Sequence, residues 1–206
     1  MSAETQVFGS QSALDVVPVG PGSASTPSSI GLDSDPTAGP AASACPSRID
    51  FRDGDIEGVT IRPLKSFADQ RGWLAEIYRE DELSAELQPV MAYVSETRPG
   101  VARGPHEHVD QTDYFVFLGP GEFELYLWDA RPGSPTCGIK LRRTCGQSHP
   151  CVVIIPPGVV HAYKNVSDQP GWVINAPNRL YAGPGKSEPV DEIRHEDEAD
   201  SPYRLE

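Results

Sequence analysis

Basic residues are scarce in this chain and absent ahead of Arg48. Across its 206 residues, 17 Lys and Arg face 30 Asp and Glu, a formal net charge of −13. Binding a phosphate backbone takes clustered cations that displace counterions, so this balance excludes nucleic acid as a partner and leaves room only for a local basic site. Long apolar runs are also missing. Nothing approaches the roughly 20 residues that cross a bilayer, which argues against a membrane partner. No basic region followed by an apolar stretch opens the chain, so no secretory signal is expected, and the lack of early Lys or Arg argues against a transit peptide. Cysteine is sparse: Cys45, Cys137, Cys145 and Cys151 form no C-x-x-C pair and no dense framework. The expectation is a reduced, cytoplasmic protein with thiols of no special role, Cys145 and Cys151 neighbouring each other across a hairpin.

The hydrophobic fraction of 38% is low for a uniformly packed globule, so part of the chain is expected to stay unpacked. Residues 1–48 fit that part. They are rich in Ser, Pro, Gly, Ala and Thr without apolar periodicity, and are expected to form a disordered tail. From Ile49 to Glu206 short apolar runs alternate with Gly and Pro, the pattern of an all-β domain with tight turns. Strands are expected at Tyr114–Leu118, Phe123–Trp128, Cys151–Ile155 and Gly171–Ala176, with Gly119-Pro120-Gly121 closing a hairpin between the first two. One short helix is expected over Arg79–Leu87, with Asp81 and Glu82 favouring its N-terminal end. The acidic stretch Glu188–Glu206 is expected to be solvated, with a lid over a binding site as the alternative.

What the chain does have is a histidine pattern. His106 and His108 are one residue apart and would project to the same face of a strand. Asp113 follows closely, and His161 lies in Pro156-Pro157-Gly158-Val159-Val160-His161. A lone histidine is more often structural than a ligand, but this spacing resembles the two motifs of the cupin superfamily. That resemblance implies a jelly-roll barrel, a double-stranded β-helix, with His106, His108, Asp113 and His161 around a divalent Fe, Mn, Ni, Co or Zn ion. It implies neither nicotinamide nor flavin. His149 and His195 match no such site and are expected at the surface.

Further motifs narrow the resemblance. Phe67-x-Asp69-x-Arg71-Gly72-x-Leu74-x-Glu76 is one, and Ser95 followed by Gly100-Val101-x-Arg103-Gly104-x-His106 is another. Asp129-x-Arg131-x-x-Ser134-Pro135-Thr136-x-Gly138 and Pro156-x-Gly158-x-x-His161 complete the set. Together, over about Gly58 to Asp197, they resemble the dTDP-4-dehydrorhamnose 3,5-epimerase family. The resemblance implies a homodimer acting on a small-molecule sugar nucleotide with a 4-keto-6-deoxy sugar. It makes His106 the base that takes a proton next to the ketone, and gives Arg71 and Arg103 contacts to diphosphate or sugar. Glu76 falls at the nucleobase and His161 in the sugar pocket. A neutral imidazole accepts a proton near pH 7, and guanidinium groups bind phosphate oxygens through several hydrogen bonds; a rim ion pair is the plainer role for either arginine.

Several family positions are altered. The lysine is replaced by Asp113 or Tyr114, the tyrosine acid by Ile174, and the glutamine near the nucleobase by Met91. The aspartate that orients the base has no evident counterpart, although Asp197 is near enough in sequence to be considered. A metal held by the histidines and Asp113 would polarise a ketone in place of the lysine. The alternatives are therefore a metal-dependent cupin of another reaction, a dioxygenase or isomerase, and a non-catalytic sugar-binding cupin. Tyr114, Phe115, Phe117, Tyr126 and Trp128 offer a face for a sugar or base, although strand aromatics more often pack.

Overall fold

The computed structural model describes residues 49–206; the expected tail over residues 1–48 lies outside the described residues. The chain runs through β1 (Arg52–Asp53), β2 (Thr60–Pro63), β3 (Ser66–Asp69), β4 (Gly72–Ala75), β5 (Tyr93–Thr97), β6 (Ala102–Glu107) and β7 (Asp113–Phe117). It continues through β8 (Glu122–Asp129), β9 (Ile139–Gly146), β10 (Cys151–Ile155), β11 (Val159–Asn165), β12 (Gly171–Asn175) and β13 (Ile193–Arg194). One sheet has the order β1-β9-β8-β11-β6-β13 and faces a second of order β2-β10-β7-β12-β5, while β3 and β4 form a separate hairpin. Among the described residues only β1 with β9 is parallel. This is the all-β jelly roll expected of a cupin. Among the described residues no helix is long and apolar enough to cross a membrane.

Alternation builds the interior. Phe115 and Phe117 of β7 and Val153 and Ile155 of β10 meet Phe123, Leu125 and Leu127 of β8 and Tyr163 of β11. Each fully buried side chain of this size contributes roughly 1.5–3 kcal/mol. The opposite faces are also covered. Tyr114, Val116, Val152 and Ile154 pack beneath Leu64 and Leu83, and Tyr126, Trp128, Val160 and Ala162 beneath Tyr203. Tyr114, Phe117, Tyr126 and Trp128 are therefore packing residues, whereas Phe115 reaches a cavity.

Three sequence expectations are corrected. β7 and β8 do not pair: Gly119-Pro120-Gly121 carries the chain from one sheet to the other, β7 lying between β10 and β12 and β8 between β9 and β11. A Gly-Pro-Gly turn looks the same in either case. Cys145 on β9 and Cys151 on β10 likewise approach from opposite sheets, as buried free thiols in the common core. The helix over Arg79–Leu87 is replaced by two 3-10 turns, Glu80–Glu82 and Ala85–Leu87, with Leu83 and Ser84 extended between them. So short a segment does not offset the cost of helix nucleation, and neither turn has a side-chain cap.

Candidate functional site

Two backbone irregularities place the site. Arg103 and His106 are three positions apart, which on a regular strand sends them to opposite faces. Here Tyr163 pairs with Arg103 and His161 with His106, so Gly104 and Pro105 form a bulge that turns both side chains into the barrel. Gly104 has φ +80°, and a Cβ there would lie 2.5 Å from the His161 carbonyl oxygen. Only glycine fits. The second irregularity is the turn at Gly158, φ +76°, whose N–H donates to the His108 carbonyl at 2.8 Å. It ties the loop after β6 to the start of β11, on which Val159, His161 and Tyr163 point inward.

His106, His108, Asp113 and His161 converge, one ligand atom from each lying within 4.8 Å of all the others. Asp113 Oδ2 is 3.0 Å from His161 Nε2 and 3.2 Å from His108 Nε2. Asp113 Oδ1 accepts from the side-chain amides of Gln111 and Asn175, each at 2.8 Å. Asn175 also accepts from the Tyr114 N–H, which locks its amide in place. Burial works against charge on Asp113, but the neighbouring His108 and His161 rings outweigh it and hold the carboxyl well below the usual range. Burial, together with neighbouring His161 and His108, pushes His106 down to about 2, so its imidazole is neutral at working pH. For His108 burial acts downward, but the Asp113 carboxylate prevails and raises it.

A cavity of about 710 Å³ opens over this cluster, lined by His106 and His108, by Arg103, Arg179 and Arg194, and by Tyr93. Arg103 is held by Thr97 Oγ1 at 3.1 Å and the Glu96 carbonyl at 2.9 Å, with no carboxylate partner in these contacts. Met91 also lines the cavity, as its family position implies. Asp113, not Tyr114, faces inward at the position of the family's lysine, and among the described residues the lining contains no lysine.

Other expected residues fall elsewhere. His161 is 1% exposed and sits behind the cavity wall, so it backs the site without lining the sugar pocket. Arg71 is on the exposed β3–β4 turn, paired to Asp69 at 2.5 Å, and Glu76 pairs with Arg79 at 3.5 Å; neither lines the cavity. Ile174 faces an apolar groove on the outside of its sheet, so no acid is lost from the cavity there. Asp197 is exposed and lines no part of the cavity. His149 is exposed as expected, but His195 is not a surface residue: it pairs with Glu107 at 3.0 Å and packs on Tyr203.

The acidic C-terminal stretch supplies residues that local spacing does not reveal. β13 pairs with β6 beside the mouth, and the Asp191 carboxylate accepts from the N–H groups of Val109, Asp110 and Gln111 at 2.7–2.9 Å. The Asp191 carbonyl meets His108 Nδ1, and Glu192 Oε1 stands 3.9 Å from His106 Nδ1. Residues 191–194 thus lie over the mouth, the lid alternative, while Asp197, Glu198 and Asp200 are exposed, as a solvated run would be.

The family model described as dTDP-4-dehydrorhamnose 3,5-epimerase matches residues 53–187. The chain belongs to this family. A probable low-salt glycan biosynthesis epimerase of Haloferax volcanii, Agl13, is 38% identical over 128 residues, 62% of this chain and 81% of the relative. The spore coat polysaccharide biosynthesis protein SpsL of Bacillus subtilis is 33% identical over 119 residues, covering 58% of this chain and 78% of the relative. The crystal structure of a dTDP sugar isomerase from Desulfovibrio desulfuricans superposes with a TM-score of 0.63 at 24% identity, covering 72% of this chain and 91% of that one, a likeness of fold. The protein is a carbohydrate epimerase by family.

Proposed function

We propose that the chain epimerises a nucleoside-diphosphate-linked 4-keto-6-deoxy sugar by removing and returning a proton on carbon beside the ketone. The observation that carries this reading is the cavity itself, with His106 on its wall and Arg103, Arg179 and Arg194 around it to bind a diphosphate. Glu192, beside His106, takes the orienting place of the family's aspartate. Tyr93, held by the Asn175 amide at 3.0 Å and pushed upward chiefly by burial, keeps its proton at neutral pH and is the group that returns it to the opposite face. Stereochemical inversion then needs only that the sugar lie between His106 and Tyr93.

Incubated in deuterium oxide with the enzyme, 4-keto-6-deoxy sugar nucleotides should take up deuterium next to the ketone, with Tyr93→Phe slowing inversion more than exchange. No exchange across a panel of nucleotides at high enzyme concentration would rule the reading out.

We also propose a homodimer, working in the cytoplasm. The β3–β4 hairpin exposes Phe67, Trp73 and Leu74 at 52–64%, beside an apolar groove lined by Val94, Leu118 and Trp172. Apolar surface of this kind on a separate hairpin suits a second copy of the chain. Trp73→Glu should then give monomers by sedimentation; unchanged mass would remove the dimer from the reading.

A further inference from the structure

The orientation of two buried histidines creates a charge conflict at Asp113. His161 Nδ1 is 3.0 Å from the Val159 carbonyl, and His108 Nδ1 meets the Asp191 carbonyl. A carbonyl oxygen only accepts, so in each ring the hydrogen sits on Nδ1 and Nε2 is the nitrogen turned to the carboxylate. Both Nε2 atoms face one oxygen, Asp113 Oδ2, at 3.0 and 3.2 Å. In neutral rings those are lone pairs pointed at a carboxylate oxygen. Among the described residues neither Asp113 Oδ2 nor His161 Nε2 has a hydrogen-bond partner, although both are buried. Gln111 relieves His108 in part, its amide nitrogen lying 3.1 Å from Nε2, but its other contact is Asp113 Oδ1. A buried acceptor cluster of this kind needs a positive charge inside it.

We propose that His106, His108, Asp113 and His161 bind one divalent transition-metal ion. His106 adds the fourth donor, its ring centroid 4.4 Å from that of His161. Imidazole and carboxylate together suit Mn, Fe(II), Co, Ni or Zn and lack the all-oxygen character of a calcium or magnesium site. Three of the four ligands also have the outer partner that orients a metal ligand: Val159 for His161, Asp191 for His108, and Gln111 with Asn175 for Asp113. An ion bound there supplies Lewis-acid polarisation of a carbonyl oxygen, in a cavity without lysine. This changes one role in the epimerase reading: in metal-free protein His106 is the base, whereas with the ion bound His106 is a ligand and the proton passes to Glu192, 3.9 Å away and paired through its other oxygen with Arg194. The binding site itself does not rest on the epimerase reading, because metal retention is measured without substrate.

The test is elemental mass spectrometry of the full chain, purified without chelator and then loaded in turn with Mn, Fe(II), Co, Ni and Zn. We expect about one equivalent retained through gel filtration, a rise in Tm on loading, and d–d absorption bands in the Co form. His106→Ala, His108→Ala, Asp113→Asn and His161→Ala should each lose at least about tenfold in retention, while Glu192→Gln keeps the metal and loses deuterium exchange. Circular dichroism accompanies every variant, and His108→Ala, at the barrel mouth, guards against loss of fold at the more buried positions. Retention below about a tenth of an equivalent after every loading, with no Co bands, would overturn the proposal and leave a trapped proton as the compensating charge. Metal retained undiminished in all four ligand variants would overturn it too. Metal without exchange on any sugar nucleotide supports the site and sinks the epimerase reading; exchange by a protein that takes up no metal does the reverse.

Discussion

Asp113 and Asp129 are both buried, 1% and 0% exposed, and both lie in family-like spacings, yet their surroundings differ in kind. Asp129 is saturated. Its Oδ1 accepts from Arg131 N and Nε, and its Oδ2 from an Arg131 terminal nitrogen at 2.9 Å and from Ser134 Oγ and Thr136 Oγ1, each at 2.5 Å. Its backbone carbonyl takes the Gly138 N–H, closing the loop between β8 and β9. Asp113 has one oxygen filled by amides and the other left facing two histidine nitrogens. A buried carboxylate whose acceptors are all used holds the chain in place, while one left half-satisfied beside a cavity is poised for a ligand.

The sharpest way to break this comparison is to neutralise each in turn. Asp113→Asn should abolish metal retention and reduce deuterium exchange by about 1,000-fold or more, with little loss of Tm in metal-free protein, because the neutral amide relieves a conflict. Asp129→Asn should do the opposite. It replaces the acceptor between Ser134 and Thr136 by an N–H donor and unpairs Arg131, costing about 3 kcal/mol in denaturant melts while metal per folded molecule is unchanged. If both variants moved stability alone, the distinction between the two sites would fail.

Acid unfolding sharpens the comparison further. Burial alone would raise the Asp129 carboxyl, but hydrogen bonds from Arg131, Ser134 and Thr136 outweigh it and bring it to about 2, below its ordinary value of 3.8. A depressed folded-state value means the contribution is fully present above about pH 4 and is lost as pH falls through about 2. That contribution is about 2 kcal/mol, so stability measured from pH 5 to 2 should fall, and Asp129→Asn should flatten the slope by that amount. A variant with the same acid limb as wild type would show that the loop carries no such linkage.

Much of this was legible in the residues. Period-two alternation is a local property, so Cys151–Ile155 and the strands around it, and the shared direction of His106 and His108, follow from the sequence directly. What needed the fold was anything set by partners distant in the chain. Gly119-Pro120-Gly121 marks a turn but not which sheet the chain enters next, and the odd spacing of Arg103 from His106 makes sense only with the bulge at Gly104. Glu192 reaches His106 because β13 pairs with β6, and no spacing announces that. Arg71 and Glu76 match a motif yet lie outside their own chain's cavity, since a motif fixes a local turn and not the surface it meets. Asp129 was visible as part of a motif, but only its saturated contacts separate a structural aspartate from a functional one.

The finest test leaves both carboxylates intact and alters one partner of Asp113. Gln111 is half-buried at the barrel mouth, and its side-chain amide donates to Asp113 Oδ1 while standing 3.1 Å from His108 Nε2. Gln111→Ala removes an orienting contact without removing a ligand, and Asn175 still holds Oδ1. Metal affinity should therefore fall only about tenfold, close to 1.4 kcal/mol, measured by competition with a chromogenic chelator. Tm should barely move, because the carboxylate keeps one of its two amides. The equivalent cut at the other aspartate, Ser134→Ala, should lower Tm and leave affinity alone. A Gln111→Ala protein that melts earlier but binds metal as tightly as wild type would place Gln111 with the residues that hold the loop, and the half-satisfied state of Asp113 would lose its meaning as a sign of ligand binding.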